Sequence, residues 1–176
     1  RAFNMLGLLT SKPVLYVCNV EEGSAKDGNS FSKQVFEHAK KEGAVAVVIS
    51  AKIESEIATL SREERAEFLE TLGLEEAGLD RLIPDGYQLL ALIPSVTVAP
   101  KEARAWTINR GTKAPAAAGV IHTDFEKGFI RAETIAYADY VALNGEAGAR
   151  DAGKLRLEGK EYVVADGDVM HFRFNN

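Results

Sequence analysis

Two apolar runs, Val14-Leu15-Tyr16-Val17-Cys18 and Ala44 to Ile49, flank a single helical pattern and limit the possible folds more than any other feature. Short runs without polar alternation read as strands buried on both faces, the signature of a parallel sheet. Parallel strands need a crossover, and residues 31–42 supply one. Phe31, Val35 and Ala39 fall at helical spacing, Ser30 stands as a cap, and Gly43 is the stop. Ligands of such sheets bind beyond the carboxyl ends of the strands. There the runs give way to Asn19-Val20-Glu21-Glu22 and Ser50-Ala51-Lys52. The Asn19 amide both donates and accepts, and the Glu22 carboxylate accepts from ring or exocyclic N–H groups. Ser50, Ala51 and Lys52 offer backbone N–H groups and an aliphatic stem for stacking. The set reads as a corner for a planar nucleobase. Capping of the following helix is the plainer use of Asn19 and Glu22.

The phosphate-binding half of such a site is missing from the sequence. No segment matches G-x-x-x-x-G-K-[ST], the loop that holds phosphates beside Mg²⁺. The chain as it stands is therefore expected to carry no catalytic residue and not to hydrolyse nucleotide. Residues 1–9 have an apolar face at helical spacing but no start signal, and read as the tail of a helix in a longer protein. The single Cys18 rules out an internal disulfide framework and suits a reducing compartment, as a small buried side chain. No run has the length or flanks of a membrane span or signal peptide.

Further along, Ile53, Ile57 and Leu60 mark a short helix. Ser61-Arg62-Glu63-Glu64 carries the capping-box pattern and opens another helix that ends at Gly73, with Phe68 and Leu69 inward. Leu79, Leu82, Ile83, Tyr87 and Leu90 make a further stripe, interrupted at Pro84-Asp85-Gly86, which is the expected domain boundary. From about residue 92 the pattern changes to short strands: 96–99, 103–108, 131–136, 155–157, 162–164 and 169–174. Met170, Phe172 and Phe174 share one face of the last, His171 and Arg173 the other. Helical pieces at Ala116-Ala117-Ala118 and near 146–152 complete a small mixed sheet around a helix.

Of the formal charge of −5, all lies in residues 1–85, with 10 basic and 15 acidic side chains; residues 86–176 balance at 11 and 11. The second part carries Lys101, Arg104, Arg110, Lys113, Lys127 and Arg131, which could meet RNA phosphates if they share a face. Scattered surface charge is the plainer alternative. His122-Thr123-Asp124 has no nucleophile beside it, and the histidines show no metal-ligand spacing, so no metal site is expected. Thr123 or Asp124 is expected to serve the following turn, with Phe125 and Phe129 in the core. Trp106 reads as a core or rim aromatic.

Three long stretches, residues 119–133, 153–164 and 166–174, together with Lys101 to Ile108, closely resemble the C-terminal TGS domain of the YchF subfamily of Obg-like P-loop ATPases/GTPases. The resemblance covers essentially the whole chain. It implies a partial parallel-sheet α/β G domain followed by an α+β, ubiquitin-like β-grasp TGS domain. On that map, residues 1–9 end a helical insertion, 10–85 close the G domain and 86–176 form TGS. Asn19-Val20-Glu21-Glu22 falls where most related GTPases read N-K-x-D, with Val20 for Lys and Glu22 for Asp. The family thereby implies binding of ATP as well as, or better than, GTP, with Mg²⁺, in the intact parent. It also implies a cytoplasmic protein that binds the ribosome, at the large subunit or the subunit interface. A stand-alone ribosome- or RNA-binding TGS module without nucleotide function is the alternative. The chain departs from the family at Pro94-Ser95-Val96-Thr97-Val98-Ala99, where two aromatics are lost and Pro94 implies an edge or strand-start position.

Overall fold

The computed structural model describes residues 6–99 and 101–175. Residues 1–5, within the expected helix tail, lie outside the described residues. The chain divides into two compact units, one up to Leu90 and one from Ala91.

The first unit is built on the two apolar runs. Strands β1 (Leu15–Asn19) and β2 (Val45–Ile49) pair in parallel, with Leu15 opposite Val45 and Asn19 opposite Ile49. The crossover is helix α1 (Ser30–Glu42), and its cap is Asn29 rather than Ser30. Asn29 Oδ1 accepts from the N–H groups of Phe31 (3.1 Å) and Ser32 (3.0 Å), and Ser32 Oγ accepts in return from the Asn29 N–H (2.8 Å). Of the expected inward stripe, Val35 and Ala39 hold and Phe31 does not. Ser32, Val35 and Ala39 face inward, while Phe31 is 76% exposed.

Helices α2 (Ala51–Ile57), α3 (Arg62–Thr71) and α4 (Gly78–Leu89) follow. The Ser61/Glu64 capping box forms as expected, with both reciprocal bonds present. Ala25, Ile53, Ile57, Leu69 and Ala77 form the core of this unit. Helix α4 runs unbroken through Pro84, and the division between the units falls after it. The strands are less buried than their composition implies. Val17 is 44% exposed, because among the described residues the sheet has only two strands. Helices α1 and α4 take opposite faces of β2: Val48 packs beside Ser32 and Gly28, and Ile49 against Gly78 at the start of α4.

The second unit is a five-stranded mixed sheet. Its strands are β3 (Leu92–Ala99), β4 (Glu102–Asn109), β5 (Phe129–Ala136), β6 (Arg156–Glu158) and β7 (Asp168–Phe174), in spatial order β4-β3-β7-β5-β6. The last strand lies centrally and parallel to the first, at Val96 opposite Val169, while every other pairing is antiparallel. This is the strand order of a β-grasp sheet. Helix α5 (Ala114–Ile121) fills the grasped face, packing Ala114, Ala117 and Ala118 against Ile93, Ile108, Phe129, Ala132, Met170 and Phe172. Short helices α6 (Thr123–Lys127), α7 (Tyr137–Ala142) and α8 (Glu146–Asp151) complete the unit. The segment 162–164, expected as a strand, makes only an isolated bridge from Val163 to Lys113.

Pro94 sits inside a strand that is not at the edge, and the register explains why it is tolerated. The bond from the Arg110 N–H to the Ala91 carbonyl (2.7 Å) sets the alternation of the β3–β4 ladder. Pro94 and Thr107 thereby form a pair that exchanges no backbone bonds, so no N–H is missed. On its other side Pro94 precedes the β7 pairing, and its carbonyl accepts from the Gly167 N–H (3.0 Å). Locally, Pro94 has an edge position.

Candidate functional site: a corner at two strand ends

Parallel pairing brings the ends of β1 and β2 side by side. The Val20 N–H donates to the Ile49 carbonyl (2.9 Å), extending the ladder one residue beyond Asn19. Just past it, Asn19 Oδ1 accepts from the Ala51 N–H (3.0 Å), so one side chain ties the first loop to the second. The donors of this amide are on Nδ2, and Asn19 is exposed. Glu22 opens a 3-10 turn (Glu22–Ser24), and its Oε2 accepts from Lys52 Nζ at 2.7 Å. Both ends of that pair stay open to solvent, with Lys52 67% and Glu22 39% exposed. The bond to Glu22 holds the Lys52 ammonium above the usual lysine value.

Val20 is buried and serves as packing at the floor of the first loop. Ser50 is buried as well, and its hydroxyl has no hydrogen-bond partner among the described residues. What residues 50–52 present outward is therefore backbone and the Lys52 stem. Asn19, Val20, Glu22, Ser50, Ala51 and Lys52 are thus gathered at one end of the sheet. The neighbouring Glu21 is tethered by Ser24 and Asn29, and the Ser24 hydroxyl holds its carboxyl below the usual range. The Cys18 thiol, one residue before Asn19, is pushed up by burial and stays protonated at neutral pH.

The basic series of the second unit is not gathered in this way. Arg104 lies on the helix-bearing face of the sheet, with its guanidinium carbon 4.1 Å from the centre of the Trp106 ring. Arg131 lies on the opposite face, beside Arg173. Lys101 is in the β3–β4 turn and Arg110 follows β4, while Lys127 is in the last turn of α6. Lys113 precedes α5 and is paired with Glu161. Trp106 is half-buried, with its Nε1–H donating to Thr97 Oγ1 (2.9 Å). His122 is itself the cap of α6, its Nδ1 accepting from the Asp124 N–H (3.2 Å).

Two polar clusters escaped sequence reasoning. Asp168, almost wholly buried, accepts from the Tyr162 hydroxyl (2.6 Å), the Ala165 N–H (2.8 Å) and Arg156 (3.1 Å). Glu133, also buried, accepts twice from Arg173 (3.3 and 3.2 Å) and lies 3.7 Å from Arg150. The hydrogen bonds from Arg173 hold its carboxyl below the usual range. The only sequence signal for either was a charged residue at an inward strand position.

A family model designated YchF-GTPase_C, "Protein of unknown function (DUF933)", matches residues 92–175. The Ribosome-binding ATPase YchF of Bacillus subtilis is 58% identical over 97% of this chain and 47% of its own length. Its Haemophilus influenzae namesake is 57% identical over 99% and 48%. The YchF GTPase of Schizosaccharomyces pombe superposes with a TM-score of 0.85 at 37% identity, over 97% of this chain and 46% of its own. The chain spans about half the length of the curated relatives it matches. Likeness of this extent, through both the strand-end corner and the β-grasp sheet, places the chain in the YchF family.

Proposed function

We propose that this chain supplies the base-reading corner and the TGS domain of a ribosome-binding, nucleotide-hydrolysing protein of the cytoplasm. The observation that carries the first part is the Asn19 tie. By accepting from Ala51, the Asn19 oxygen fixes the orientation of the amide, which supports a role for its Nδ2–H groups as donors to a purine ring nitrogen. Lys52 supplies an aliphatic stem beside that ring and an ammonium on Glu22. With Val20 buried and Glu22 already engaged, the corner lacks the free carboxylate that would take two N–H donors of guanine. ATP is therefore accepted as well as GTP, or better. Mg²⁺ and the phosphates need the P-loop chemistry that these 176 residues do not contain.

The test is nucleotide affinity in the full-length protein carrying Glu22→Asp or Val20→Lys. A shift of preference toward GTP of about tenfold is expected, the scale of one charge-assisted hydrogen bond. Unchanged preference in both variants removes the assignment.

For the second part, the relatives' name supports ribosome binding, and the proposal assigns that contact to the TGS domain and to ribosomal RNA phosphates. Lys101, Arg104 and Arg110, carried by β4 and its two ends, would meet phosphates, while Arg131, on the opposite face of the sheet, lies off that surface and Lys113 is paired with Glu161. Co-sedimentation with ribosomes over a salt series should show binding that weakens steeply as salt rises. Binding indifferent to salt rejects this version.

A further inference from the structure

The outer edge of β2 carries a second, unassigned groove. Strand β2 pairs with β1 alone, so its other edge is open among the described residues. The Ile49 carbonyl turns toward β1, where it accepts from Val20. By alternation Val48 and Ala46 turn their backbone groups to the open edge. The Arg81 guanidinium, from α4, meets the Val48 carbonyl there at 3.2 Å. A cavity of about 480 Å³ straddles this edge, within the range of ligand sites. It is walled by Val47 and Val48, whose side chains lie on opposite faces, and by Lys33 and Phe36 of α1. Lys26 and Arg81 line both this cavity and an adjoining hollow of about 160 Å³. Asp27 and Glu37 also line the larger cavity, and Glu75 and Glu76 the smaller, so what selects a carboxylate is the unsatisfied Arg81 donor and not a net excess of positive charge.

Arg81 is the telling residue. Its Nε–H is buried and has no acceptor among the described residues. A buried donor without a partner is costly, and a guanidinium edge is shaped for a carboxylate. Phe36, 43% exposed, offers an apolar shelf alongside.

We propose that this groove binds an extended peptide segment carrying a carboxylate, added as a strand to the open edge of β2. The carboxylate takes the Arg81 guanidinium and the Lys26 ammonium. Arg81 then releases the Val48 carbonyl, which accepts an N–H from the incoming backbone. An apolar side chain of the peptide lies on Phe36. The open edge gives the main-chain match, and the cation pair at its end gives direction and selects acidic segments.

The experiment is fluorescence anisotropy of the 176-residue chain with a labelled short peptide of alternating valine and threonine that ends in a free glutamate. Saturable binding is expected. Three comparisons should each weaken it at least tenfold: an amidated glutamine-ended peptide, a backbone N-methylated peptide, and the Arg81→Gln variant. Lys26→Gln, on an exposed loop, provides a second variant should Arg81→Gln disturb the fold by circular dichroism. No saturable binding up to millimolar peptide overturns the proposal. So does equal binding of the neutral or N-methylated peptide, or unchanged affinity in the variants. Displacement by a single-stranded RNA oligonucleotide, which would mark a phosphate site, overturns it as well.

Discussion

Single side chains hold the two units to their geometries, and their costs can be set against one another. In the first unit Asn19 links the loops through one exposed hydrogen bond, so Asn19→Ala should lower stability by only about 1 kcal/mol. On the proposed base-reading role its effect on nucleotide affinity in the full-length protein should be larger, because the amide would donate to the ring as well as position the second loop. Chemical denaturation and nucleotide titration of the same variant separate the two. In the second unit, Glu133 sets a pH dependence. Its folded-state carboxyl is held below its ordinary value, chiefly by Arg173, so its contribution is complete above the ordinary glutamate range. That contribution is lost as pH falls through the depressed folded value. Urea midpoints should be level near neutrality and decline in acid, and Glu133→Gln should flatten part of that decline. Arg173 is half-exposed, so solvent screening keeps the effect modest. Tyr162→Phe removes one donor from buried Asp168 and should cost about 1–3 kcal/mol, read from the same denaturation curves.

Elements are decided by patterns that the sequence displays unequally. The Ser61/Glu64 box and the Met170/Phe172/Phe174 face were legible because each depends on neighbours along the chain. The cap of α1 was not, since Asn29 and Ser30 satisfy the same rule and only the first turn's geometry chooses between them. Val35 and Ala39 lie inward as their spacing implies, and Ser32 takes the inward place in the first turn that Phe31 was expected to fill. Asn29→Ala should therefore destabilise by about 1 kcal/mol, while Ser30→Ala should stay within a few tenths, measured by thermal or urea denaturation. Helix α4 shows the opposite error. Pro84 marks a break on local rules, yet the helix continues through it and closes with Leu90 as its cap. Tertiary support outweighed the lost hydrogen bond.

The whole chain is two separately cored units, and one spectroscopic probe distinguishes them. Trp106, the single tryptophan, belongs to the second unit. Met170→Ala, which opens space in the β-grasp core, should lower the unfolding midpoint seen by Trp106 fluorescence, at a cost of about 2–5 kcal/mol. Ile53→Ala should leave the Trp106 transition in place and reduce helical circular dichroism instead, since Ile53 belongs to the other core. A single shared transition shifted by both substitutions would contradict independent units.

At this scale the contributions of sequence and structure separate by range. The apolar runs, the polar tails at Asn19 and Ser50 and the alternating faces of the second half were enough to place strands, the strand-end corner and the small mixed sheet. Each depends on residues close along the chain. Tertiary structure alone decided which polar groups meet. It joined Asn19 to Ala51 and Glu22 to Lys52, set Arg104 and Arg131 on opposite faces, and buried Asp168 and Glu133 with their partners. It also left β2 with an open edge under Arg81. Pairings between distant residues depend on register and crossover. One residue of slip reverses every side chain of a strand, and no local pattern encodes that choice.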